Sequence, residues 1–417
     1  MIIQAREEIQ LRRVNSEREG LLHDVEIWKG VLPPDSMIRH HVEQFEQLCT
    51  GMFDRVGSLY DQKRWKLDEP TFDSLVINVL GGKWVLLRQA VIQRTENSPY
   101  LKTLNDLDAI AEDCYQRLNT VLRNKCGLLD LSNSSPVSYL GPIARIFLFD
   151  EEAPCLISTP FGAANESNEL GQELCRQTIP HEAAHAIFEQ IPGLTDELRV
   201  KTASALATSK VGKRLRTIHP VMLNWLDEVI ADMAGTALAS LDFARSASVI
   251  MTMPEKTLGI TDETHPIPLL RPFIHLWTLQ KTSPETAPEF EEILNAIVSN
   301  DQLDIPFESL PSIVSVSMRE VRDELYKLVD LIWKTNLDTL NSHSLGEVFS
   351  AVAEMKVSKR LAQELPAWGE LRKGDPEVVF RLIGPSNPSS PLPASPLYLD
   401  PICCPLKLQF CCSSTVM

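Results

Sequence analysis

Pro180-His181-Glu182-Ala183-Ala184-His185-Ala186-Ile187-Phe188 is the stretch on which the reading of this chain turns. Its centre is His-Glu-x-x-His. Residues i and i+4 of a helix stand one above the other, so His181 and His185 present two imidazoles to one point in space. Zinc suits two neutral imidazoles and a carboxylate, with a fourth position left to water. Glu182 is offset by about a third of a turn and points off the shared face. From there it can reach that water as a general base without binding the metal. Pro180 fits the first turn of such a helix, where its missing N–H costs nothing. Ile191-Pro192-Gly193 is a stop signal that ends the helix near Gln190. Ala183, Ala184 and Ala186 are small helix formers that allow close packing around a site.

A third ligand has to come from elsewhere. The long form of the motif, with Gly and a third His downstream, is excluded, because Phe188 and Ile191 occupy those positions. The best candidate lies in Trp225-Leu226-Asp227-Glu228-Val229-Ile230-Ala231-Asp232-Met233. Apolar residues at 226, 229, 230, 233 and 237 mark an amphipathic helix. Glu228 and Asp232 share one of its faces. Glu228 can be the third ligand, with His219, Asp227 and Asp232 as rivals. Asp232 can accept the second ring N–H of a ligand histidine and fix its tautomer.

His181-Glu182-x-x-His185 followed by Glu228-x-x-x-Asp232 resembles the gluzincin zinc metallopeptidases, the broad thermolysin-like group. The resemblance spans about residues 140–280. It implies one zinc per chain on His181, His185 and Glu228, with Glu182 as catalytic base and Asp232 behind the ligands. The segment Thr195–His219 must then be accommodated between the two ligand helices. A later stretch, Thr264-His265-Pro266-Ile267-Pro268-Leu269-Leu270-Arg271, resembles a segment that follows the third ligand in several gluzincin groups. That likeness implies His265 as a donor to the tetrahedral oxyanion and Arg271 as an orienting or substrate-binding residue.

The fold expected is mainly α with an α+β element. Residues 1–130 read as an N-terminal helical bundle, with helical patterns over Ile2–Trp28, Ile38–Met52, Pro70–Ile92 and Leu101–Leu122. Gly81-Gly82 is a candidate break in the third. Residues 131–382 read as a zincin-like catalytic domain. It opens with strands near 137–140, 144–149 and 155–160 that form a small antiparallel sheet. The resemblance implies that an edge strand of this sheet pairs with an extended peptide. Residues Gly162–Glu169 form a polar loop at the mouth of the site. Helices follow over Ser240–Met253, Phe273–Gln280, Pro284–Val298, Ile313–Trp333 and Leu345–Leu361. Residues 383–417 form a Pro/Ser/Cys-rich tail that is too poor in packing residues to fold.

Composition narrows the function classes. The net charge of −16 over 417 residues speaks against a nucleic-acid surface, which needs a basic footprint. No apolar run reaches the length of a membrane span, and the N-terminus turns polar too soon for a signal peptide. Scattered cysteines at 49, 114, 126, 155 and 175 fit reduced thiols of a cytoplasmic protein. The expected partner is a peptide or protein substrate. The rival expectation is a non-catalytic helical interaction protein with a structural or vestigial zinc site.

Overall fold

The protein is represented by a computed structural model that describes residues 2–61, 69–95, 97–129, 131, 134–141, 145–148, 155–160, 176, 178–208, 212, 214–252, 264–307 and 316–356. It is mainly helical, with three small sheets among the described residues. The chain divides into Met1–Gly374 and Asp375–Met417, and only the first unit contains described residues. The polar loop at 162–169 and the Pro/Ser/Cys-rich tail therefore lie outside them.

The first three helices are α1 (Ile2–Val31), α2 (Met37–Asp61) and α3 (Glu69–Ile92). They share one apolar cluster, in which Val25, Val42, Phe45, Leu80 and Leu87 are fully buried. Gly81-Gly82 does not break α3. Each helical glycine costs about 1 kcal/mol relative to alanine. Leu80, Trp84 and Leu87 on the same helix bury apolar area that offsets this. Phe45 stacks on Trp84 with ring centres 5.5 Å apart, and the Trp84 indole N–H donates to Asp24 at 2.7 Å.

Helix α4 (Leu101–Cys126) ends on Gly127, whose φ of 68° is the left-handed C-terminal cap that glycine tolerates. Its apolar face joins the larger core, which also takes in the helices that carry His181, His185 and Glu228.

Three strands follow: β1 (Val137–Gly141), β2 (Arg145–Leu148) and β3 (Cys155–Pro160). They were expected to form an antiparallel sheet, and the sheet is mixed. β3 lies in the centre, antiparallel to β2 and parallel to β1. Val137–Gly141 and Cys155–Thr159 are both buried, so β1 and β3 lie inside the protein.

The helices that carry His181, His185 and Glu228 come next. α5 (Ile179–Phe188) packs against α4, β2, β3 and α8 (Leu226–Thr252). Between α5 and α8 the chain forms α6 (Leu194–Thr208), a 3-10 turn at Leu215–Ile218 and the short α7 (His219–Asn224). The described parts of the segment expected to need accommodation are thus largely helical. The sequence pattern assigned Ser240 onward to a separate helix. The backbone bears this out: at Ser240 φ is 51° and ψ −134°, which is not helical, so α8 consists of two helical segments that meet at a sharp kink there.

α9 (Arg271–Thr282) lies along α8, and α10 (Ala287–Ile297), the single turn α11 (Asn300–Leu303), α12 (Met318–Lys334) and α13 (Leu345–Glu354) complete the core. Ser317 with Glu320 and Ser344 with Glu347 form capping boxes that start α12 and α13. Two further strand pairs, Pro306–Phe307 with Val316–Ser317 and Asn336–Leu337 with His343–Ser344, are too short for alternation to reveal them in the sequence.

Candidate metal centre

Helix α5 starts as its sequence demands, with Pro180 in the first turn and the Glu182 N–H donating to the Thr178 carbonyl at 3.2 Å. It stops at Phe188, two residues before the expected end. Gly193, at φ 76°, carries the chain away into α6. Ala183, Ala184 and Ala186 are completely buried, so α4 and α8 approach closely on either side. That approach brings the His181/His185 face of α5 against the Glu228/Asp232 face of α8.

Among the described residues, His181, His185 and Glu228 form the group able to hold a metal ion. The His181 and His185 Nε2 atoms are 3.2 Å apart. Glu228 places Oε2 3.3 Å from His181 Nε2 and Oε1 3.4 Å from His185 Nε2. A tetrahedral zinc with ligands at 2.0–2.1 Å has ligand–ligand edges of about 3.3–3.4 Å. The three donors therefore already stand at zinc spacing. Their chemistry points the same way. Two imidazole nitrogens converge on one carboxylate, and a metal ion would stand where an Nε2–H otherwise bridges an imidazole to Glu228. The residues fit a zinc ion.

The rivals for the third position are turned elsewhere. Asp227 accepts a hydrogen bond from the Thr195 hydroxyl at 2.9 Å. His219 is buried on α7 with Nε2 3.4 Å from Glu324 on α12. Asp232 stands behind His181, with Oδ1 3.0 Å from Nδ1. The two atoms are close but poorly aligned, because Nδ1 makes no well-directed hydrogen bond.

Arg271 grips Asp232 from the other side. Its Nε donates to Oδ2 and its Nη2 to Oδ1, both at 2.7 Å, the two-pronged geometry that makes arginine–carboxylate pairs strong. The same Nη2 is 3.5 Å from Glu228 Oε2. Arg271 is almost wholly enclosed, so its charge is spent inside the site. His265 occupies the open side. Its side chain is 46 % exposed, and its Nε2 is 3.2 Å from Glu228 Oε1. Glu182 is buried on the first turn of α5 and lies near enough to Arg271 to raise it electrostatically.

These charges shape one another. Burial alone would push His181 down. The Asp232 and Glu228 carboxylates overcome it and hold the ring up at about 10. Burial likewise opposes the charge on Glu228, but His181, His185 and His265 hold its carboxyl well below the usual range. Asp232, fully buried, is also held low, chiefly by Arg271 and His181. The centre thus favours positive charge at the point where the two imidazoles and Glu228 meet, from either a proton or a metal ion.

One layer was not visible in the sequence. Thr236 and His275 lie one turn beyond Asp232 and Arg271 and are joined by a 3.0 Å contact. His275 falls within the expected helix at 273–280, but nothing in that pattern marks it as part of a site. Four cysteines, at 49, 114, 126 and 155, are free and buried, and burial pushes each thiol up, which leaves them unreactive. Cys175 lies outside the described residues. No described helix is long and apolar enough to cross a membrane. No family model matches this chain, and no curated protein or solved structure is significantly similar to it.

Proposed function

We propose that this protein is a zinc-dependent metallopeptidase of the gluzincin type, acting on peptide or protein substrates in the cytoplasm through a zincin-like region at 131–382. One observation carries the reading. His181, His185 and Glu228 converge with donor spacings of 3.2–3.4 Å, beside a glutamate that is not part of the ligand set. His181, His185 and Glu228 would hold one zinc per chain. When bound, the ion supplies Lewis-acid polarisation of a scissile carbonyl and lowers the pKa of a water.

The remaining work falls to the chain's own groups. Glu182 accepts the proton of the attacking water and delivers it to the leaving amine. His265, on the open side, donates toward the oxygen that gains negative charge, the task of an oxyanion-hole group. Asp232 orients His181 through Nδ1. Arg271 holds Asp232 and, through its contact with Glu228, orients the charge that faces the substrate.

A broad peptide library tests this directly. Zinc-loaded wild-type protein should cleave it. Glu182→Gln, at equal zinc content, should lose at least roughly a hundredfold in turnover, the scale of a lost general base. Zinc uptake without hydrolysis of any member would instead favour the non-catalytic reading, in which the ion is structural or vestigial.

A further inference from the structure

Helices α8 and α9 meet through two rungs, one helical turn apart. Asp232 with Arg271 forms the first and Thr236 with His275 the second. Each rung joins residues 39 apart in sequence, so the two helices run in parallel register at this point. The first rung reaches the candidate metal centre through His181. We propose that the second is a positioning device for the first. His275 and Thr236 lock the register of α9 against α8, which sets the depth at which Arg271 meets Asp232 and therefore the alignment of Asp232 with His181. This rests on the zinc reading above and extends it to two residues behind the centre.

The hydrogen bonds run in one direction. The Thr236 hydroxyl donates to the Asp232 carbonyl at 2.8 Å, and its single proton is then used. Its lone pair faces His275 Nδ1 at 3.0 Å, which assigns the Nδ1–H tautomer to the imidazole. His275 is fully buried, and burial pushes it down to about 4, so the ring is neutral at ordinary pH. Its Nε2 meets no hydrogen-bond partner. A leucine or phenylalanine would fill this space without an orphaned nitrogen. The ring's polar contacts are instead with the Thr236 hydroxyl and the Asp232 backbone.

The surroundings leave His275 no freedom. The Phe243 ring stands edge-on to it with centres 5.2 Å apart. Phe243 reaches that position because the chain turns at Ser240, and because Gly235 has no side chain. A Cβ on Gly235 would lie 2.6 Å from the Phe243 ring. Thr236 is itself fully buried. The rung is thus clamped by packing on one side and bonded to the backbone of Asp232 on the other.

Four single variants test the proposal: Thr236→Val and His275→Leu, which remove the bond while keeping the volume, and Thr236→Ser and His275→Asn, which keep a hydroxyl or a donor near the Nδ1 position. Zinc affinity is measured on the metal-free protein by chelator competition, and the visible spectrum is recorded after loading with cobalt(II). Thr236→Val and His275→Leu should weaken zinc roughly threefold to tenfold. That is less than the tenfold to hundredfold of a direct second-layer loss. Both should shift the cobalt bands, and Thr236→Ser and His275→Asn should restore wild-type behaviour. If His275→Leu fails to fold, Thr236→Val decides alone. Unchanged affinity and spectrum in folded Thr236→Val overturns the proposal. So does an equal loss in all four variants, which would assign the pair to packing. A wild-type protein that takes up no zinc would overturn the underlying reading itself, a different result from a zinc-binding wild type with insensitive variants.

Discussion

Arg271 holds Asp232 with two hydrogen bonds of 2.7 Å, and Asp232 stands 3.0 Å from the Nδ1 of His181. Asp232 therefore has two tasks, one for the candidate metal centre and one for the stability of the α8–α9 contact. They separate on substitution. Asp232→Ala leaves a buried guanidinium without its partner, and breaking a buried pair costs about 3–5 kcal/mol. Asp232→Asn keeps one acceptor oxygen but sets an amide NH2 in place of the other, so one of the two Arg271 hydrogen bonds can survive. Chemical denaturation should show a large loss for Asp232→Ala and a smaller one for Asp232→Asn. Both should bind zinc roughly tenfold to a hundredfold more weakly. A fully stable Asp232→Ala with unchanged zinc affinity would show that neither contact matters.

The pH dependence of the metal-free protein follows from His181. Its ring is held at about 10 against an ordinary value of 6.5, and the groups facing it are Asp232 and Glu228, with His185 beside them. A raised pKa contributes stability that is complete below 6.5 and is lost as pH rises through about 10. Metal-free protein should lose stability across that window. Zinc affinity should rise across the same window, because binding must displace the His181 proton. Denaturant midpoints at a series of pH values, with and without zinc, check both. A flat profile for the metal-free protein would contradict the charge arrangement described for His181.

Gly235 offers a test of packing next to the site. A Cβ there would lie 2.6 Å from the ring of the buried Phe243. Overpacking of this kind costs about 1–3 kcal/mol. Gly235→Ala should lower the melting temperature measurably, and Gly235→Ala combined with Phe243→Leu should recover part of the loss.

Much of this arrangement was legible in the chain. The spacing of His181 and His185 depends only on helix geometry, and so does the pairing of Glu228 with Asp232. The bundle helices could be read because their apolar positions recur at three and four residues. The order of the first sheet could not, since which strand pairs with which is a long-range choice that the spacing of residues within one strand does not encode. The continuity of α3 through Gly81-Gly82 was hidden for a similar reason, as flanking residues in the core outweigh a local preference. The partners of Arg271 were also out of reach. His265 and Arg271 were singled out together, yet the fold leaves one exposed and buries the other. Thr236 and His275 carried no signal, because a threonine and a histidine inside two amphipathic helices look like ordinary members of their faces.

The account stands on three side chains acting as one zinc centre, and the zinc content of purified protein tests that most directly. Elemental analysis of wild-type protein, His185→Ala, Glu228→Gln and Glu182→Gln after equilibration with zinc and removal of excess should give about one zinc per chain for wild type and Glu182→Gln. It should give much less for the other two, which each lose a ligand. Folded wild-type protein that retains no zinc at neutral pH would contradict the account, as would equal zinc content in all four proteins.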